Sequence, residues 1–125
     1  LNYPEFLKFG EWLRVPIDFE IYRALVAHEV AHVIAVHNFQ IPKPTVQAHE
    51  YIAYVTTFAT LDAARREKVL EKFSGDGFET EQQMNTTIYL CDPFWFGAQA
   101  YRHFSKQARG ADYFRLILSG NVMRE

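Results

Sequence analysis

Residues 28–32 read His28-Glu29-Val30-Ala31-His32, two histidines that bracket a glutamate. On an α-helix, His28 and His32 lie one turn apart on the same face, so both imidazoles can bind one tetrahedral ion. Glu29 lies beside them, where its carboxylate can reach a metal-bound water without being a ligand. Zinc lowers the pKa of such a water toward neutrality, and a nearby carboxylate can pass the proton to a leaving amine. The motif therefore predicts a hydrolytic zinc site with Glu29 as the general base.

The residues that flank this motif, from Ala24 to Val36, are almost all apolar. A helix that is apolar nearly all round is expected to be buried. Buried imidazoles and a buried carboxylate without partners would each cost roughly several kcal/mol. A bound cation converts that cost into coordination energy, so the apolar setting favours a metal site over a chance occurrence of the pattern.

The motif resembles that of the zincin metallopeptidases, and more closely that of their gluzincin branch. The resemblance covers residues 19–58, and it implies that the third ligand is a glutamate on the following helix. Glu50 matches this role, because it follows His32 at a spacing close to that of several gluzincins. A proline-bearing turn between two antiparallel helices would bring Glu50 back over the first helix. The resemblance thus implies a zinc-dependent peptidase that acts on a peptide or protein substrate.

Three features of the sequence bear on how the rest of the site is assigned. His49 is a rival third ligand, adjacent to Glu50 but about 100° round the helix. Many gluzincins carry an aspartate one turn after the ligand glutamate, where it orients the first histidine, whereas this chain has Tyr54. The third histidine of the metzincin pattern is absent after His32.

A peptidase also needs a donor for the developing oxyanion, which in the resembled families is a Tyr or His from a later segment. Tyr101 and His103 are the candidates that we expect to be catalytic. Tyr54 and Asn85 are further candidates. The aromatic residues around Tyr101, which recur at helical spacing, are expected to be core.

Hydrophobic patterning and turn residues predict an all-α domain of about five helices over residues 1–125, with the motif-bearing helix buried at its centre. By resemblance it would be the helical half of a zincin-like fold. Little strand signal is present. The predicted helices are Phe19–Asn38 after the cap Asp18, one from Thr45 that continues or restarts at Asp62, Glu79–Leu90, one that Asp92 and Pro93 open, and Asp112–Leu118.

Composition and charge exclude several classes of partner and of metal site. A net charge of −2 with both signs interleaved argues against nucleic acid. No uninterrupted apolar run is long enough to predict a membrane span. Cys91 is the only cysteine, so cysteine-rich zinc ribbons are excluded.

The start of the chain suggests an upstream segment. Leu1 stands where an initiator Met is expected, which leaves open a processed secreted or periplasmic origin. Gluzincins place a β-sheet before the metal helix, and its edge strand pairs with the substrate. Few residues precede His28, so a missing N-terminal segment of the same protein is an expected partner.

Two other functional classes compete with the peptidase. A ferritin-like di-iron protein also uses Glu-x-x-His, as in Glu29 to His32, but it needs a second copy that this chain lacks. The other alternative is a non-catalytic helical module, in which a structural or vestigial metal site accompanies a surface that binds a protein partner. A Glu29→Ala variant separates the classes, because only the enzyme would lose hydrolysis while it keeps its metal.

Overall fold

The structure is a computed structural model that describes residues 2–124. Within that range the chain forms seven α-helices, one short 3-10 helix and one two-stranded antiparallel sheet, which confirms the all-α prediction. The elements are α1 (Tyr3–Leu7), β1 (Glu11–Trp12), β2 (Val15–Pro16), α2 (Phe19–Asn38), α3 (Val46–Thr60), α4 (Ala63–Leu70), a 3-10 helix (Glu81–Gln83), α5 (Thr86–Cys91), α6 (Pro93–Ser105) and α7 (Gly110–Leu118).

Helices α2 and α3 form the centre of the fold, and side-chain caps define where each begins. The Asp18 carboxylate accepts a hydrogen bond from the Ile21 amide, and the Thr45 hydroxyl accepts one from the Ala48 amide. Prolines in residues 40–44 separate the two helices, since proline lacks an amide donor and restricts the residue before it. The helices run antiparallel, because residue 28 of α2 meets residue 57 of α3 while residue 39 meets residue 49.

Helix α6 also packs against α3 and approaches it closely at Gly97. A Cβ added at Gly97 would lie 2.5 Å from Cγ of Tyr54, a separation that real Cβ atoms essentially never show. Tyr54 and Phe58 of α3 and Ala98 of α6 are buried in one hydrophobic cluster, while Tyr51 and Phe96 belong to a second. The side of α3 that faces α6 is therefore core.

The expectation that α2 is buried all round is wrong. Ala24, His28 and Ala31 are buried on one side. On the opposite side, four residues form what we call the aliphatic face of α2: Val26, Val30, Val33 and Ile34 are between 43% and 59% exposed. Within residues 2–124, α3 and α1 cover one side of α2 and leave this face to solvent. An apolar composition on all sides does not establish where the neighbouring elements lie.

Two further segments differ from prediction. Residues 79–90 do not form one helix, because Asn85 adopts an extended backbone and caps α5 by accepting a hydrogen bond from the Ile88 amide. The segment before α2, for which the sequence indicates an irregular or briefly helical lead-in, contains the short α1 and also the β1–β2 hairpin, which the sequence signals too weakly to predict. Helices α2, α4 and α6 begin directly after Asp18, Asp62 and Asp92, as predicted.

None of the helices within residues 2–124 combines the length and the apolar character that crossing a bilayer requires.

Candidate metal centre

Three side chains from α2 and α3 converge on one point. Nε2 of His28 and Nε2 of His32 lie 3.2 Å apart. The Glu50 carboxylate faces both rings, with Oε1 at 2.8 Å from His32 Nε2 and Oε2 at 3.4 Å from His28 Nε2. Zinc–ligand bonds of about 2.1 Å in a tetrahedron put ligand atoms roughly 3.4 Å apart, so this donor set is close to coordination geometry. These three residues, which the motif and the resemblance single out, are brought together by the fold.

The three side chains are shielded from water to different degrees, which determines their electrostatics. The side chains of His28, Glu50 and His32 are 7%, 13% and 25% exposed. Burial alone would raise the pKa of Glu50, but hydrogen bonds and charge interactions with the two histidines outweigh it and lower the pKa to about 2. The hydrogen bond with Glu50 raises the pKa of His32 against the opposing effect of burial. Without a cation, the cluster therefore contains a partly buried, hydrogen-bonded pair between the His32 imidazole and the Glu50 carboxylate.

Glu29 lies beside the cluster without joining it. Its side chain is exposed on α2. After the Glu50 interactions, its negative charge adds to the rise in the pKa of His32, so the carboxylate lies within electrostatic range of that ring. The motif predicts that this carboxylate exchanges protons with a metal-bound water.

The His28 ring is enclosed by aromatic and hydroxyl groups. The Tyr54 ring stands 4.6 Å from it in an edge-on arrangement, and the Trp12 ring stands 5.9 Å away. Nδ1 of His28 lies 3.0 Å from the Thr57 hydroxyl, which donates a hydrogen bond to the Ala53 carbonyl. Tyr54 therefore packs against His28, and the polar contact to its outer nitrogen comes from Thr57.

Tyr89, on α5, interacts with the Glu50 carboxylate of the cluster. Burial, followed by the charge of Glu50 and a hydrogen bond to that carboxylate, raises the pKa of Tyr89 to about 12. The phenol is therefore protonated at neutral pH and donates toward the ligand group. Tyr54 also has a raised pKa, mainly through burial and then through the charge of Glu50.

A strained hairpin positions Trp12. The two residues between β1 and β2, Leu13 and Arg14, both have left-handed backbones, with φ of 56° and 60°. Such residues cost on the order of 1–3 kcal/mol each and persist only where their surroundings hold them. Leu13 is fully buried, and Arg14 pairs with Asp92 and covers the Phe73 ring. The hairpin thereby holds Trp12 between His28 and Phe94.

The rival ligand lies apart from the cluster. The His49 ring packs 4.6 Å from Phe39 and 6.0 Å from His32, centroid to centroid. Among residues 2–124, the group of His, Cys, Asp and Glu side chains with metal-binding geometry comprises His28, His32 and Glu50, and it does not include His49. Glu50, and not His49, therefore completes the cluster with His28 and His32.

The sequence-based oxyanion donors make contacts elsewhere. The Tyr101 ring packs on Phe58 and under Arg66. Nδ1 of His103 lies 2.6 Å from the Tyr51 hydroxyl, on the side of α3 that faces α6. Asn85 caps α5. These contacts assign the three residues to core packing and capping, and they lend no support to a catalytic role.

Sequence reasoning missed Thr57, Tyr89 and Trp12 as neighbours of the site. Thr57 had a detectable signal, because it lies two helical turns after Glu50 on the same stripe of α3. Tyr89 and Trp12 reach the cluster through tertiary packing of α5 and of the hairpin, which no local pattern reports.

Residues 8–125 match the model of a family described as "Family of unknown function (DUF6639)", and the chain belongs to this family. No curated protein and no solved structure matches the chain.

Proposed function

We propose that this chain is a zinc-dependent metallopeptidase, with His28, His32 and Glu50 as metal ligands. The observation that carries the proposal is the convergence of three donor atoms from two helices, within electrostatic range of the exposed carboxylate of Glu29. A structural ion pair would explain Glu50 and His32, but it would not explain why a second histidine brings its Nε2 to the same point.

The donor set fits zinc. Two imidazole nitrogens and one carboxylate oxygen form a ligand set found in catalytic zinc sites, which keep a fourth position for water or substrate. His32 is the most exposed of the three side chains, so the cluster is open to solvent on its side. Glu29 is also exposed and adjacent to His32. Substrate would therefore approach along this side of α2.

A zinc ion at this site would supply Lewis acidity, which polarises the scissile carbonyl and acidifies a water. Glu29 accepts one proton from the attacking water as the new carbon–oxygen bond forms. The same carboxyl group then delivers that proton to the amide nitrogen as the carbon–nitrogen bond breaks, so the reaction consumes one water and leaves an acid and an amine.

Tyr89 replaces Tyr101 and His103 as the proposed donor to the carbonyl oxygen. It interacts with Glu50, and its raised pKa of about 12 keeps the phenol protonated at neutral pH. The single phenolic proton would turn from Glu50 to the carbonyl oxygen of a bound substrate, where it would stabilise the negative charge that develops. Trp12 and Phe94 provide apolar surface beside the site.

The test combines metal analysis with hydrolysis of an unfolded protein such as casein. The wild-type protein is expected to bind one zinc ion, which His28→Ala abolishes. Glu29→Gln should keep the zinc and lose hydrolysis by about 100-fold or more, the usual contribution of a general base. Glu20→Gln, at a half-buried position in the first turn of the same helix, is the matched control and should leave both unchanged.

Two results would contradict the proposal. A protein that binds no zinc at micromolar concentration lacks the centre altogether. If the protein binds zinc but does not hydrolyse casein, or if the Glu29→Gln variant hydrolyses casein at the wild-type rate, the protein belongs to the non-catalytic class of helical module.

A further inference from the structure

The hydrogen bond between Thr57 and His28 joins two buried side chains on different helices. Thr57 is 0% exposed and His28 is 6% exposed. The Thr57 oxygen lies 3.0 Å from Nδ1 of His28 and 2.8 Å from the carbonyl oxygen of Ala53. Water therefore has little access to replace either contact.

The single proton of the Thr57 hydroxyl determines which group donates in the Thr57–His28 hydrogen bond. A threonine hydroxyl has one proton to donate and two lone pairs that accept. The Ala53 carbonyl can only accept, so the hydroxyl proton points to it. The Thr57 oxygen must then accept from His28, which requires a proton on Nδ1. In the neutral ring, Nε2 is consequently the unprotonated nitrogen, and it is Nε2 that faces His32 and Glu50.

We infer that Thr57 is a positioning residue that fixes His28 in the Nδ1–H tautomer and aims the lone pair of Nε2 at the metal centre. The functional role of this orientation rests on the proposed metal site, whereas the geometry of the Thr57–His28 hydrogen bond does not. Outer partners of this kind orient metal-binding histidines and raise their basicity.

A hydroxyl suits this position better than a carboxylate would. The site behind His28 is closed by Tyr54 and by the packing of α2 on α3, and an ionised group there would be costly without a partner. Thr57 supplies the acceptor without adding charge. The back-bond to the Ala53 carbonyl also holds the threonine rotamer, so the acceptor is preorganised.

The experiment compares Thr57→Val, which keeps the shape and removes the hydroxyl, with Thr57→Ser, which restores it. The matched control is Thr56→Val on the same helix, because the Thr56 hydroxyl makes the same kind of back-bond, to the Ile52 carbonyl. Zinc affinity is measured by competition with a chromophoric chelator. Nitrogen-15 NMR of the full chain, with and without zinc, reports whether Nδ1 of His28 carries a slowly exchanging proton.

Thr57→Val is expected to weaken zinc binding by about 10–100-fold and to remove the slowly exchanging Nδ1 proton, whereas Thr57→Ser and Thr56→Val stay within about threefold of wild type. The inference is overturned if Thr57→Val keeps both the wild-type affinity and the Nδ1 resonance. It is also overturned if wild-type His28 has no proton on Nδ1, a result that does not depend on whether the valine variant folds. Failure of the wild type to bind zinc would contradict the proposed function, while the metal-free NMR spectrum would still decide the role of Thr57.

Discussion

Glu50 and His32 meet across the interface between α2 and α3, with Oε1 of the carboxylate 2.8 Å from Nε2 of the imidazole. Against the effect of burial, His28 and His32 together lower the pKa of Glu50 to about 2, and the hydrogen bond with Glu50 raises the pKa of His32. In the metal-free protein this pair therefore stabilises the fold, while in the zinc-bound protein the same atoms would coordinate the ion.

The stability of the metal-free protein should depend on pH through this pair. The folded-state pKa of Glu50 is lowered, so its contribution is present above its ordinary pKa of 4.5 and is lost as pH falls toward 2. The folded-state pKa of His32 is raised, so its contribution is present below its ordinary pKa of 6.5 and is lost as pH rises through the raised value. Both contributions coexist between about pH 4.5 and 6.5.

Urea unfolding in the presence of EDTA at pH 3, 5.5 and 8.5 checks this dependence. The difference in unfolding free energy between wild type and Glu50→Gln should be largest at pH 5.5. A difference that is the same at all three pH values would contradict the ion-pair description. Zinc affinity should follow the opposite trend above pH 5.5 and rise with pH, because protons compete with the ion for the imidazoles.

The third ligand can be tested by comparing two adjacent residues. Glu50→Gln should weaken zinc binding by more than about 100-fold, since loss of an outer partner alone costs about 10–100-fold. His49→Ala should leave the affinity within a few fold of wild type, because its ring packs on Phe39 outside the cluster. Chelator competition measures both. The reverse order of effects would transfer the ligand role to His49.

The convergence of His28 and His32 was predictable from sequence because their spacing is local to one helix, whereas Glu50 came from the resemblance. His28 and His32 are one turn apart on a single helix, and Glu50 lies on the next helix, after a proline-bearing turn. The other residues around the site could not be predicted, because their positions depend on tertiary contacts. Tyr101 and His103 have suitable chemistry, yet α6 directs them into contacts with Phe58 and Tyr51. Only the packing of α5 reveals Tyr89.

The role of Tyr89 makes a kinetic prediction. Tyr89→Phe should lower kcat by about 100–1,000-fold, the effect of losing one oxyanion donor, while zinc remains bound. Tyr101→Phe, the matched control, should leave kcat nearly unchanged because its ring packs on Phe58. Peptide hydrolysis and metal content measure the two effects. Equal losses in both variants, or a loss of zinc from Tyr89→Phe, would remove Tyr89 from the proposed reaction.

The aliphatic face of α2 gives a prediction about stability. Val33 is 59% exposed and Val55 is 3% exposed, so the same substitution can be made on each side of the fold. Val33→Ala should change the unfolding free energy by less than about 0.5 kcal/mol, as is usual at the surface. Val55→Ala removes buried methyl groups and should cost about 1–3 kcal/mol. Urea denaturation compares them, and a similar cost at both positions would mean that this face of α2 is covered in solution.

Gly97 gives the geometry of the site a dependence on a residue that has no side chain. Tyr54 lies between α6 and His28, touching the backbone at Gly97 on one side and the imidazole on the other. Any side chain added at position 97 would displace the Tyr54 ring, which packs on His28, although α6 contributes no residue to the proposed metal centre. Helix α6 thus limits, through a residue without a side chain, how closely α2 and α3 can pack around that centre.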